Sequence, residues 1–144
     1  KEKLTLYGQG APVPPVHFNF THQPDLAPTI IVMHCAKGIP FTFEGVESLQ
    51  YKESDRLEAL RTELAKFEVK WEYDGKVYHN KGHFEWPDEP VRVHSYKDHR
   101  IAMAFVTLAV LRPVIIENIE VVKKSYPEFW QDLRKLKFVT EAVD

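Results

Sequence analysis

The feature that most constrains the fold of this chain is an internal repeat. Two stretches run in parallel at an offset of 73 residues: Phe18 and Phe20 match Val91 and Val93, Asp25 matches Asp98, Pro40 matches Pro113, and Glu44 matches Glu117. The order of predicted elements repeats with them. Val16 to Phe20 is a short strand, Asp25 opens a helix to about Ala36, Pro40 to Glu44 is a strand, and Ser54 opens a helix to about Phe67. In the second copy Val91 to His94 is the strand, Asp98 opens the helix, Pro113 to Glu117 is the next strand, and Ser125 opens the last helix. The first copy closes in a predicted hairpin, Trp71 to Tyr73 with Lys76 to Tyr78. Asp74-Gly75 between them favours a tight two-residue turn. Glu85 to Pro90, with two prolines, joins the copies. The unit is strand, helix, strand, helix, strand pair, over residues 16–88 and 89–144.

The helices differ in kind. Leu26 to Ala36 and Ile101 to Leu111 are apolar on nearly every face and belong inside a core. The helix after Ser54 carries Leu57, Leu60, Leu64 and Phe67 on one stripe, so it should lie with one face in water. The strands alternate, as half-buried strands do. The expected class is therefore α/β (α+β), with repeated β-α-β-α-β-β units, buried helices and sheets outside them.

Charge narrows the function. The 19 Lys and Arg against 21 Asp and Glu leave a net charge of −2, without the basic excess of a nucleic-acid binder. The longest apolar run, Ala102 to Leu111, is broken by Thr107 and falls far short of the roughly 20 residues of a membrane-spanning helix. The single cysteine, Cys35, allows no internal disulfide, which fits the cytoplasm. Lys1 in place of Met, followed at once by strand-like Lys3 to Tyr7, predicts a piece of a longer protein.

The cations stand in unexpected places. A helix N-terminus carries partial positive charge, so cations there are disfavoured by roughly 0.3–1 kcal/mol. Yet Lys52 and Arg56 flank the Ser54 cap, Arg100 follows Asp98 with His99 between, and Lys123 and Lys124 precede Ser125. A bound phosphate or carboxylate would account for all three, because free N–H groups and cationic side chains together hold an anion. Solvated Lys and Arg also tolerate this position. Asp25 and Asp98 read equally well as helix caps, worth ~1 kcal/mol each. Ser125-Tyr126-Pro127-Glu128 reads as a capping box. Glu53, between Lys52 and Ser54, is either a surface ion-pair partner or a proton donor whose pKa is raised by substrate anions or desolvation.

Taken in order, Gln23-Pro24-Asp25, Ala36-Lys37-Gly38, Lys52-Glu53-Ser54-Asp55-Arg56, Asp98-His99-Arg100 with Ile101-Ala102-Met103-Ala104, and Lys124-Ser125-Tyr126-Pro127 make up a recognisable set. It is similar to the C-terminal region of 5-enolpyruvylshikimate-3-phosphate (EPSP) synthases, and the resemblance runs over almost the whole chain. That family has two domains, each of three strand-helix-strand-helix-strand-strand units, with helix N-termini pointing into the cleft between domains. The resemblance implies that this chain holds about two of the six units, in the C-terminal part of one domain. The rest of the enzyme would then be a missing partner.

It implies transfer of the enolpyruvyl group of phosphoenolpyruvate to the 5-hydroxyl of shikimate-3-phosphate, with release of phosphate. Asp25 would help take the hydroxyl proton, Lys52 would bind near that hydroxyl, and Glu53 would protonate the methylene carbon. Arg56, Arg100 and Lys124 would hold the anionic groups of phosphoenolpyruvate, with His99 in support. No cofactor and no metal are implied. Family members often place an asparagine before the Lys-Glu pair as a sugar contact. Here the stretch reads Ser48-Leu49-Gln50-Tyr51, and Ser48 is the candidate to replace it.

Three rival readings stand beside this one. A related enolpyruvyl transferase acting on a UDP-sugar shares the fold but typically uses a cysteine in a mobile loop. Cys35 falls in an apolar helix, where a packed thiol is inert. A folded, non-catalytic piece is the second, and the chain taken alone is expected to be inactive. A metal site at His79 and His83 lacks an acidic or cysteine partner at a recognisable spacing. Gly8-Gln9-Gly10 lacks the helix-opening glycine of a dinucleotide fold and reads as a turn.

Overall fold

A computed structural model describes residues 16–143. The strand at Lys3 to Tyr7 and the turn at Gly8-Gln9-Gly10 lie outside the described residues. The first copy runs β1 (Val16–Asn19), α1 (Ala27–Ala36), β2 (Phe41–Glu44), α2 (Arg56–Ala65), β3 (Trp71–Tyr73) and β4 (Tyr78–Asn80). The second runs β5 (Val91–Val93), α3 (His99–Val106), β6 (Val114–Ile116) and α4 (Phe129–Lys135). No strand pair follows α4 among the described residues. β1 and β2 are parallel, β2 and β4 antiparallel, and β4 and β3 antiparallel, giving a sheet ordered β1-β2-β4-β3. β5 and β6 form a separate parallel pair.

Alternation sets which way each sheet faces. Phe41 and Phe43 of β2 point into the core, while Thr42 and Glu44 point out. On the outer face His17 bonds Thr42 (Nδ1 to Oγ1, 2.7 Å) and Asn19 donates to Glu44 (3.1 Å), cross-strand pairs that suit a wet surface. Leu60, Leu64 and Phe67 fill the core from the α2 side, and Ile101 and Phe105 from α3. The two copies share this core. Trp86 of the connection stacks edge-on against Phe67, and the guanidinium of Arg112 lies 5.7 Å from the Trp86 ring centre.

The helices depart from expectation in burial. α1 and α3 pack directly on each other, Val106 is buried, and Ile30 is half-buried against the core. But α2 buries six of its ten residues and α1 only five of its ten, so α2 is not the more exposed of the two. The reason is an open apolar groove, lined by Met33, Met103, Val110, Leu111, Phe129 and Leu133, which leaves one flank of α1 and the end of α3 uncovered. The predicted apolar helix to Leu111 is also not α-helical throughout. The Thr107 hydroxyl donates to the Ala104 carbonyl at 2.6 Å, and from Thr107 the chain tightens into a 3-10 turn ending at Val110.

The predicted hairpin forms with a longer loop. Tyr73 pairs with Tyr78, so four residues rather than two make the turn. The Asp74 carboxylate closes that loop by accepting the N–H groups of Val77 (2.8 Å) and Lys76 (2.9 Å), and His79 bonds its other oxygen. These contacts, the Val77 N–H foremost, hold the Asp74 carboxyl down at about 2.

Gly45 ends β2 in a left-handed conformation, φ +74°. A Cβ there would stand 2.4 Å from the backbone nitrogen of Thr21, just past the end of β1, where the Phe20 N–H still bonds the Glu44 carbonyl. Gly45→Ala should therefore destabilise the chain by more than about 2 kcal/mol, combining left-handed strain with a backbone clash. Thermal unfolding followed by circular dichroism should show a fall of about 6 °C or more. An unchanged melting temperature would mean that this close approach is absent.

Candidate functional site

Three helix starts converge on one guanidinium. Arg56, the first residue of α2, is buried at 2% side-chain exposure. Its Nε donates to Asp98 Oδ2 (2.8 Å) and its Nη2 to Asp98 Oδ1 (3.3 Å). Its Nη1 donates to Asp25 Oδ1 (3.0 Å), and Nη2 also reaches Glu53 Oε2 (2.6 Å). Asp25 lies in the 3-10 turn Pro24–Leu26 that leads into α1. Asp98 caps α3, accepting the Arg100 N–H at 2.9 Å. Residues from three segments of the chain thus meet at the N-terminal ends of α1, α2 and α3.

Two more cations complete the cluster. Arg100 Nη2 stands 3.1 Å from Asp25 Oδ2, and its Nη1 donates to the Asp25 carbonyl (3.3 Å). Lys52 Nζ is 3.6 Å from Asp25 Oδ1. Lys52, Arg56 and Arg100 therefore face Asp25, Glu53 and Asp98, three charges of each sign. Asp98 is fully buried, whereas the side chains of Lys52, Arg100, Asp25 and Glu53 are 33% to 52% exposed. The inner pair is locked in place and the outer four face solvent.

Burial alone would raise the Asp98 carboxyl. The bond and charge of Arg56, the Arg100 N–H and the Ser54 hydroxyl outweigh it and hold the group below its ordinary value. Asp98 was legible as a cap but not as the hub of the cluster. Its place beside Arg100 was the available signal.

Several expectations need correction. Asp25 is not a cap: no side-chain cap bond opens its turn or α1, and its carboxylate serves Arg56, Lys52 and Arg100 instead. Ser54 does not open α2. Asp55 does, accepting the Glu58 N–H at 3.0 Å, while the Ser54 hydroxyl donates to Asp98 (3.0 Å). Ser125 does not open a helix either. α4 starts at Phe129 with no side-chain cap on Glu128, and Ser125 follows the 3-10 helix Ile119–Lys124. Lys123 and Lys124 therefore sit in a last turn, where cations are favoured, and the anion argument does not extend to them.

Lys124 is exposed, and no hydrogen bond or ion pair joins it to the cluster among the described residues. The same is true of Ser48, exposed in the 3-10 helix Glu47–Tyr51, although that helix packs on the turn that holds Asp25. His99 is the half-buried first residue of α3, between Asp98 and Arg100, and makes no bond to the cluster. Cys35 lies in α1 in full burial, which pushes its thiol up to about 12, an inert state. His79 and His83 pair with Asp74 (2.8 Å) and Glu85 (3.1 Å).

The inner pair has a measurable signature. Asp98→Asn should cost about 3 kcal/mol at pH 7, because Arg56 keeps a buried charge with only Asp25 and Glu53 to meet it. Asp98 has a depressed folded pKa, so its stabilisation is present above the ordinary value of ~3.9 and is lost as pH falls through the folded value. Urea unfolding at pH 7 and at about pH 3 should show a smaller stability difference between the variant and the parent at the lower pH. An equal difference at both would remove Asp98 as the titrating partner.

Comparison with known proteins gives one consistent answer. A sequence model described as EPSP synthase (3-phosphoshikimate 1-carboxyvinyltransferase) matches residues 1–133. A 3-phosphoshikimate 1-carboxyvinyltransferase of Bacteroides fragilis is 39% identical over 94% of this chain and 33% of its own length. One of Aeropyrum pernix is 38% identical over 92% of this chain and 31% of its own. The solved EPSP synthase of Acinetobacter baumannii superposes with a TM-score of 0.61 at 26% identity, over 78% of this chain and 27% of that one. The chain thus spans about a third of the length of the curated relatives it matches.

Proposed function

The chain belongs to the EPSP synthase family, and from that premise we propose that it forms one wall of an active site for enolpyruvyl transfer. Phosphoenolpyruvate and shikimate-3-phosphate are the substrates, phosphate is the leaving product, and the site is completed by the remainder of a longer cytoplasmic enzyme. The observation that carries this reading is the Arg56 cluster, where cations and carboxylates meet at three helix N-termini.

The chemistry needs what the cluster holds. Asp25 accepts the proton of the 5-hydroxyl while the hydroxyl oxygen bonds to C2 of phosphoenolpyruvate. The C2–C3 π electrons take a proton from Glu53, giving a tetrahedral intermediate. Return of a C3 proton to the Glu53 carboxylate and cleavage of the C2–O bond to phosphate then restore the double bond on the product. Lys52 lies beside Asp25 and steadies the developing charge on the hydroxyl oxygen. Arg100 and Lys52, each partly exposed, can pass from Asp25 to a ligand anion. Arg56 is engaged on all sides, so its contact with phosphoenolpyruvate requires Asp25 or Glu53 to swing outward, as their half-exposed side chains allow. Lys124, His99 and Ser48 would join through movement or through the substrate itself.

In the complete enzyme, Arg100→Ala should weaken phosphoenolpyruvate binding ten- to a hundredfold, since a charge-assisted contact is worth ~1.5–3 kcal/mol. Glu53→Gln keeps the shape but cannot transfer the proton. It should lower kcat by ~10²–10⁴-fold with a far smaller effect on binding. Steady-state kinetics with titration of phosphoenolpyruvate in the presence of shikimate-3-phosphate measures both. Normal turnover in Glu53→Gln would leave Glu53 as an ion-pair partner of Arg56 only.

A further inference from the structure

α2 carries a second buried charged side chain on the face that holds Arg56. Glu63 is seven residues along, close to two helical turns, and is 1% exposed. That face meets the segment joining β5 to α3. Arg56 grips the end of the segment at Asp98, and Glu63 grips its start. Glu63 Oε2 accepts the His94 N–H (3.1 Å), and Oε1 accepts the Tyr96 hydroxyl (2.9 Å). Lys66 pairs with Glu63 and also donates to the Arg92 carbonyl (2.8 Å).

Between the two grips the backbone is strained. Tyr96 and Lys97 have φ of +56° and +54°, a left-handed conformation that non-glycine residues rarely adopt. Such residues persist where their surroundings over-determine them. Here two in succession lead straight into the Asp98 cap and Arg100. Burial, then the bond to Glu63, pushes the Tyr96 hydroxyl up to about 12, so it stays a donor at neutral pH.

We propose that Glu63 is a positioning residue of the site: by fixing the Tyr96 hydroxyl and the His94 amide, it holds the left-handed turn that aims Asp98 and Arg100 into the cluster. The inference rests on the anion-binding role proposed for Arg100. An apolar side chain would fill the same volume at lower desolvation cost but offers no acceptor, whereas the Glu63 carboxylate takes the backbone donor on one oxygen and the hydroxyl on the other.

The test uses the complete enzyme with Tyr96→Phe, which removes one hydroxyl, and Glu63→Leu, which removes both acceptors at similar volume. Each should raise KM for phosphoenolpyruvate by about tenfold, the scale of one buried hydrogen bond, and change kcat by less than about threefold. The double variant should be little worse than the worse single one, because both act through one contact. A merely structural role would reduce the fraction of active enzyme, lowering apparent kcat with KM unmoved, and that result overturns the proposal. Amide hydrogen exchange over residues 95–100 gives a readout independent of activity. Faster exchange in Tyr96→Phe supports the clamp, and unchanged exchange overturns it. A parent enzyme that lacks enolpyruvyl transfer while showing this exchange effect would sink the functional reading and leave the clamp standing.

Discussion

The contact between Arg56 and Asp98 is the constraint around which the other parts are arranged. Both side chains are out of water, and the effective cost of burying charged groups is several kcal/mol per ion. The structure offsets that cost with complete partnering. Asp98 receives the Arg56 Nε and Nη2, the Ser54 hydroxyl and the Arg100 N–H. Arg56 also donates from Nη1 to Asp25 and from Nη2 to Glu53. The pair also ties the first copy of the repeat to the second, since Arg56 opens a helix of one and Asp98 caps a helix of the other. A shared apolar core could hold the copies together, but it would not fix their helix ends to within a hydrogen bond.

Much of the fold was legible because periodicity and punctuation agree with each other. The alternation in Val16 to Phe20 and Pro40 to Glu44, the two aspartates at matched positions and the prolines between copies all mark elements that form. What failed was local and chemical. Ser54 looked like a cap because serine caps helices well, but Asp55 stands one residue nearer and takes the bond, leaving Ser54 to Asp98. Ser125 looked like half of a capping box, but the preceding residues wind into a 3-10 helix that places Ser125 at its end. Asp74-Gly75 looked like a two-residue turn. The Asp74 side chain instead captured two N–H groups of its own loop and lengthened it. At Asp55 and Asp74 a short polar side chain chose among several nearby backbone donors, a choice that residue type alone does not settle. Glu63 was invisible for another reason. On a helix stripe it reads as solvated charge, and only the tertiary approach of His94 and Tyr96 gives it partners beyond nearby Lys66.

The matched aspartates show how a repeat becomes a site. Asp98 keeps the capping role that the sequence suggests for both, and it adds the Arg56 contact. Asp25 stands at the same offset, but α1 is preceded by a 3-10 turn, so no helix N–H lies in line with its carboxylate. Freed from capping, Asp25 gathers Lys52, Arg56 and Arg100. The same residue type at equivalent positions therefore caps a helix in one copy and stays half-exposed among three cations in the other.

On the proposed reading the cluster takes two polyanions and should carry excess positive charge, yet its six charges balance. The balance follows from which members are movable. Asp25 and Glu53 are about half exposed and occupy donors of Arg56, Arg100 and Lys52 that a phosphate or carboxylate could take. Two unit charges 4 Å apart interact by about 4 kcal/mol at an effective dielectric constant of 20. Exchanging an internal carboxylate for a singly charged ligand group therefore gains little by itself, and the gain must come from the second negative charge of a phosphate and from bidentate geometry at the guanidinium groups. Neutrality in the free state also spares the fold the repulsion of three bare cations. On the proposed reading the exchange has a chemical result. The carboxylates displaced by incoming anions would be Asp25 and Glu53, the two groups proposed as proton acceptor and donor. Substrate arrival would then release them from their cations at the step that uses them.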